Sequence, residues 1–219
     1  MSPCVKIESL YKSISNTLKV LISLRIFLVT FGFFMVNSQL WAMEPSQDLM
    51  GVKYRWPDAK FAWYYSASNE PEWLSQESGL NLFKNAATAW KVCGVEISFQ
   101  GVLTNNVKPK DQINSLGWAS LAKSVRGITL RQYNKNTAFI KEVDIVINVD
   151  NLDIQDNPSL LQKVITHEFG HALGLVHSEG CNDVMSSAAE CGWRIANPPP
   201  IIPTMNDRGQ CQLRYHSNP

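Results

Sequence analysis

Three of the chain's four histidines, at 167, 171 and 177, fall within eleven residues of the stretch THEFGHALGLVHSEGCNDVM, residues 166–185. The preceding NPSLLQKVI opens with good helix-entry chemistry, because Asn157 can cap and Pro158 suits a first turn. A helix over 158–173 places His167 and His171 four residues apart on one face. A continuous helix would carry His177 well off that face. Gly174 prevents this, since glycine takes the left-handed conformation that ends a helix at no steric cost. The chain can then turn and bring His177 back to the other two.

Three neutral imidazoles at this spacing point to one catalytic Zn²⁺, with a fourth position left to water as in open zinc sites. Glu168 does not share the histidine face and is poorly placed to ligate the same ion. It can reach a water there, which zinc makes more acidic. Glu168 is therefore the candidate general base for hydrolysis of a carbonyl substrate, returning the proton to a leaving amine. A lone HExxH arises on many amphipathic helices. Five fixed positions in eleven arise by chance in about one chain in 10⁵ at average composition.

Residues 1–42 read as a leader. Lys6, Lys12, Lys19 and Arg25 make the segment basic, IFLVTFGFFMV (26–36) is an apolar run, and Ala42 offers a small residue for cleavage. The run is too short to span a bilayer alone, and extending it back to Val20 includes Arg25, so an uncleaved anchor over 20–36 is the alternative. Cleavage removes four bases and one acid and takes the formal charge from +1 to −2. Such a balance suggests no nucleic-acid or polyanion partner. Secretion follows from the leader reading, with membrane contact only if the leader stays attached. Cys93, Cys181, Cys191 and Cys211 lie beyond the leader, an even number that suits two disulfides in an exported chain. Three pairings are open. Cys181 with Cys191 would close a short loop and leave Cys93 with Cys211.

Residues 43–53 read as a short tail and 54–219 as one catalytic domain. Strands are expected at KFAWYYS (60–66), VEISFQGV (95–102), SLGWASL (115–121), RGITLRQYN (126–134) and KEVDIVINVD (141–150). Helices are expected over about 73–92, closed by Gly94, over 158–173 and over about 205–215. Residues 178–203 read as irregular, with NPPPIIP extended. Trp56, Trp63, Trp90 and Trp118 read as core. The order of elements suggests a sheet with helices packed on it.

The pattern His167, Glu168, His171, Gly174, His177 resembles that of the metzincin zinc endopeptidases, and within them the chain is most similar to the matrixins. Ser178 follows the third histidine, Met185 stands eight residues beyond it, and Asp207 and Tyr215 match the last helix, where a neighbouring family aspartate is Asn206. RWPDAKFAWYY, AATAWKVCGVEISF and IKEVDIVIN resemble the first strand, the first helix with second strand, and a core strand of small bacterial matrixin-like domains. The resemblance implies an α+β metzincin fold: a twisted, mostly parallel sheet packed on the active-site helix, then an irregular C-terminal subdomain and a final helix. It implies a monomeric zinc endopeptidase acting on protein or peptide substrates. Met185 would pack beneath the zinc without ligating it, Asp207 would support the methionine turn, and the edge strand GITLRQY would pair with substrate backbone. A binding module that keeps the fold without proteolysis is the alternative.

Departures limit the resemblance. No sizeable inhibitory prodomain fits between Ala42 and Tyr54, and only His216 remains for a second zinc. The residues that shape the specificity pocket after the turn do not appear in MSSAAECGW. Ser186 and Ser187 argue against a tyrosine ligand. Asp150, Asp153 and Asp156 could hold calcium, although helix-entry and Asx-turn roles explain them more simply.

Overall fold

Phe61, Trp63 and Tyr65 alternate along Lys60–Ser66 and turn one face of this first strand, β1, into the core. The computed structural model describes residues 54–191 and 201–216, all within the compact unit Pro45–Pro219. The leader over 1–42, the tail over 43–53 and most of NPPPIIP lie outside the described residues.

Ser75 caps the first helix, α1 (Gln76–Ala89), by accepting from the Ser78 amide at 3.3 Å. The helix thus starts three residues later than its apolar spacing predicts. It tightens into a 3₁₀ turn, Trp90–Cys93, and stops at Gly94 (φ 71°). Then come β2 (Glu96–Leu103), β3 (Ser115–Ala119), β4 (Gly127–Tyr133) and β5 (Ile140–Asn148).

The sheet order is β2-β1-β3-β5-β4, with three parallel pairs and one antiparallel pair, β4 on β5. This is the mostly parallel α+β arrangement that the metzincin resemblance implies. β5 lies inside the sheet and is buried at every position but Lys141, as strands covered on both faces are. β4 forms one edge.

Two elements follow β5: a single helical turn, α2 (Leu152–Gln155), and the long helix α3 (Pro158–Ala172). Every residue from Leu160 to Ala172 is buried, so α3 is enclosed rather than amphipathic. Phe169 sets its ring edge-on against Trp63 of β1, with centroids 5.7 Å apart. On the other side the Trp90 indole donates to the Thr166 carbonyl at 2.7 Å. The predicted core tryptophans 56, 63, 90 and 118 are all buried.

The stretch expected to be irregular contains one further turn, α4 (Ala188–Cys191), and the chain closes with α5 (Met205–Tyr215). Disulfides join Cys93 to Cys211, tying the end of α1 to α5, and Cys181 to Cys191. Among the described residues no helix is long and apolar enough to cross a membrane.

Candidate metal centre

Asn157 caps α3 by accepting from the Leu160 amide at 3.0 Å, and Pro158 opens the first turn. At the other end Gly174 takes φ 87°, and the Leu175 amide donates back to the Gly170 carbonyl at 3.0 Å. A Cβ on Gly174 would stand 2.1 Å from the Tyr54 carbonyl oxygen, so both backbone angle and space require glycine here.

The turn delivers His177 to the face that carries His167 and His171. The Nε2 of His177 is 3.2 Å from that of His167 and 3.3 Å from that of His171. Nitrogens that bind zinc tetrahedrally at about 2.0–2.1 Å stand about 3.3 Å apart, which matches both separations, and the ligand atoms of all three residues lie within 4.8 Å of one another. Tautomers fit as well. His167 donates from Nδ1 to the Val184 carbonyl at 2.8 Å, and His171 donates from Nδ1 to the Leu175 carbonyl at 2.9 Å. Each ring then presents its Nε2 lone pair to the centre.

Burial pushes the His167 imidazole well below its ordinary range and, with help from the Arg131 charge, pushes His171 down to about 3. Both rings are therefore neutral at physiological pH, the form that binds metal. Among the described residues these three histidines are the only group of three or more metal-ligating side chains that converges. Asp150, Asp153 and Asp156 do not come together: Asp150 accepts from Ser120, and Asp153 pairs with Arg126 at 2.6 Å.

Met185 is fully buried against α3, at Gly170, the residue before His171. A Cβ on Gly170 would stand 2.2 Å from the Met185 sulfur, so that helix position must be bare. The turn around Met185 is held from α5. Asp207 accepts from the Val184 amide at 2.9 Å, the Met185 amide at 3.1 Å and the Thr204 amide at 2.8 Å, and it closes a capping box with Thr204. Asn206 donates from Nδ2 to the Asp183 carboxylate at 2.6 Å, a bond that the family's aspartate could not make without a proton. Burial raises the Asp183 carboxyl, but the Thr204 and Asn206 hydrogen bonds outweigh it and hold it below its ordinary value. Tyr215 donates to the Leu173 carbonyl at 2.9 Å and accepts from the Trp56 amide, joining α5 to the end of α3.

Three neighbours of the centre had no reading in the sequence. Lys163 is fully buried one turn before His167 and donates from Nζ to the carbonyls of Asp183 (2.9 Å) and Val184. Its only sequence signal is a charge between Leu160–Leu161 and Val164–Ile165. Arg131 reaches from β4 to the carbonyls of His171 (3.2 Å) and Leu175 (3.5 Å). Thr129, also on β4, places its hydroxyl 2.6 Å from Oε2 of Glu168. Glu168 itself is buried on α3, directly after His167. The edge strand expected to face substrate, GITLRQY, is β4.

The curated proteins contain no significant match. Among solved structures the chain is similar to a chain of the GM1-bound form of the ECX AB5 holotoxin, at 12 % identity and a TM-score of 0.47, over 71 % of this chain and 80 % of that one. The matrixin family model matches residues 55–195, a span that includes Trp56, the three histidines and Met185. The chain belongs to the matrixin family.

Proposed function

We propose that the chain is an exported zinc-dependent endopeptidase whose general base is Glu168. One observation carries this reading: three histidine nitrogens converge, with His177 Nε2 at zinc-like separations from the other two, and a carboxylate stands one residue along the same helix. Zinc bound there supplies a Lewis acid that acidifies a water and polarises a carbonyl oxygen. His167, His171 and His177 would hold the ion, and the Val184 and Leu175 carbonyls fix two of the rings in the binding tautomer. Glu168 takes one proton from the attacking water as the water oxygen bonds to the peptide carbonyl carbon. It returns that proton to the amine nitrogen as the C–N bond breaks. An extended substrate adds to the open edge of β4 by backbone pairing. Export rests on the basic-then-apolar leader, and the two disulfides suit an oxidising compartment.

The test uses the purified protein with its disulfides formed. Zinc content and cleavage of a mixed peptide library are measured with and without a chelator, beside Glu168→Ala. One zinc per chain with chelator-sensitive cleavage that the variant loses supports the reading. Zinc binding in both proteins with no cleavage by either points instead to a binding module. A protein that takes up no zinc sinks the proposal.

A further inference from the structure

We propose that Thr129 is a positioning residue for Glu168, fixing the orientation of its carboxylate during hydrolysis, an inference that rests on the endopeptidase reading above. Thr129 is buried on β4 and contacts Glu168 twice: its hydroxyl is 2.6 Å from Oε2 and 3.0 Å from the main-chain oxygen of the same residue. A hydroxyl has one proton to give. With Glu168 ionised, the charged oxygen takes it, and 2.6 Å is the normal length of such a charge-assisted bond. Oε2 is thereby anchored to Thr129, which sets the plane in which the carboxylate meets the water and the leaving nitrogen.

The rest of the same strand face supports a positioning role. Residues 127, 129 and 131 share one face of β4. A Cβ on Gly127 would stand 3.2 Å from Cγ of Glu168 and 3.0 Å from Cγ1 of Val164, so the strand approaches the stem of the glutamate closely. Two residues beyond Thr129, Arg131 holds the carbonyl of His171. Successive inward residues of β4 thus touch successive positions of α3. The strand that would register substrate backbone also registers the base, so a peptide paired to its open edge meets Glu168 in a set orientation.

The alternative is that Thr129 only satisfies a buried carbonyl. The two roles separate in the variants Thr129→Val, Thr129→Ala and Thr129→Ser, each purified, loaded with zinc and assayed for metal content. Loss of a hydrogen bond to a charged group predicts that kcat of the valine and alanine variants falls about ten- to a hundredfold with KM nearly unchanged. The serine variant, which keeps the hydroxyl, stays within about threefold of wild type on the same ground. Full kcat in the valine or alanine variant at one zinc per chain, or a serine variant as slow as they are, overturns the proposal. A second readout needs no substrate. Crystal structures of the zinc-loaded wild type and Thr129→Ala should show the Glu168 carboxylate turned in the variant, with His167, His171 and His177 unmoved. An unmoved carboxylate overturns the positioning role even in a protein that cleaves no peptide. A wild type that binds zinc, orders Glu168 on Thr129 and still cleaves nothing fails the endopeptidase reading while leaving this contact standing.

Discussion

His167 and Lys163, one helical turn apart on α3, share a single acceptor, the carbonyl oxygen of Val184. That carbonyl lies directly before Met185, so a candidate zinc ligand and a buried amine grip the methionine turn at one atom. Burial lowers the Lys163 amine from 10.5 to about 7, against the opposing pull of Asp207 and Asp183. The sign of the linkage follows. Between pH 7 and 10.5 the unfolded chain holds a proton that the folded chain gives up, so stability from this residue rises with pH in that window. Lys163→Met carries no such cost. Its melting temperature relative to wild type, both metal-free, should therefore be most favourable near pH 6 and decline towards pH 9. A difference that stays flat or grows across that range contradicts the buried-amine account.

Asp144 presents the opposite case. It is buried on β5 and accepts from the Ser115 hydroxyl at 2.6 Å. Burial raises its carboxyl to about 7; the Ser115 hydrogen bonds oppose this, and Glu142 and Asp111 add to it. From about pH 4 to 7 the folded chain binds a proton that the unfolded chain has lost, so this group's stabilising effect is present at low pH and disappears as pH rises through 7. Asp144→Asn can keep the Ser115 bonds through Oδ1 without the charge. It should be more stable than wild type at pH 8 by about 1–3 kcal/mol and no more stable at pH 4. Urea unfolding at the two pH values measures this.

These two groups show where sequence reading stops. α3 was legible because Asn157, Pro158, the i,i+4 histidines and Gly174 are local signals, and local signals survive folding. β5 was legible from its β-branched residues, Val143, Ile145, Val146 and Ile147. α5 ran over the predicted residues because Thr204 and Asp207 form a local capping box. The roles of Lys163, Thr129 and Arg131 depend instead on where distant backbone comes to rest. Nothing near residue 163 in the chain says that the carbonyls of 183 and 184 will sit at its amine. Nothing in GITLRQY says which of its two faces meets Glu168, because that follows from its antiparallel register on β5. Short turns such as α2 and α4 escaped for a related reason: four residues carry too little periodicity to read.

Asp207 bridges the same methionine turn from α5 and makes a graded prediction. Replacing it with alanine leaves the buried amides of Val184 and Met185 without their acceptor. At about 1–3 kcal/mol for each unsatisfied group, Asp207→Ala should lose roughly 3 kcal/mol or more. Val184 also orients His167, so zinc affinity should fall about tenfold or more, as when an outer partner of a metal ligand is removed. Asp207→Asn keeps one acceptor oxygen in place and should fall between alanine and wild type on both scales. Denaturant unfolding and zinc competition against a chelating dye supply the two numbers. An alanine variant with unchanged zinc affinity would mean that the turn holds its shape without α5.

The two disulfides should separate stability from metal binding. Cys93–Cys211 spans 118 residues and joins the end of α1 to α5, whereas Cys181–Cys191 spans 10 and encloses the segment that carries Met185. If the bonds act by restricting the unfolded chain, the longer loop contributes about 5 kcal/mol and the shorter about 3 kcal/mol. Replacing Cys93 and Cys211 with serine should therefore give the larger drop in unfolding free energy. Replacing Cys181 and Cys191 should give the larger drop in zinc affinity, because the released loop contains both Val184, which holds His167, and Asp183, which anchors to Thr204 and Asn206. Calorimetry and zinc titration on the two double variants decide it. If the Cys93/Cys211 variant loses more on both measures, the short disulfide has no particular hold on the metal centre, and its loop keeps its shape through Asp183 and Asp207 alone.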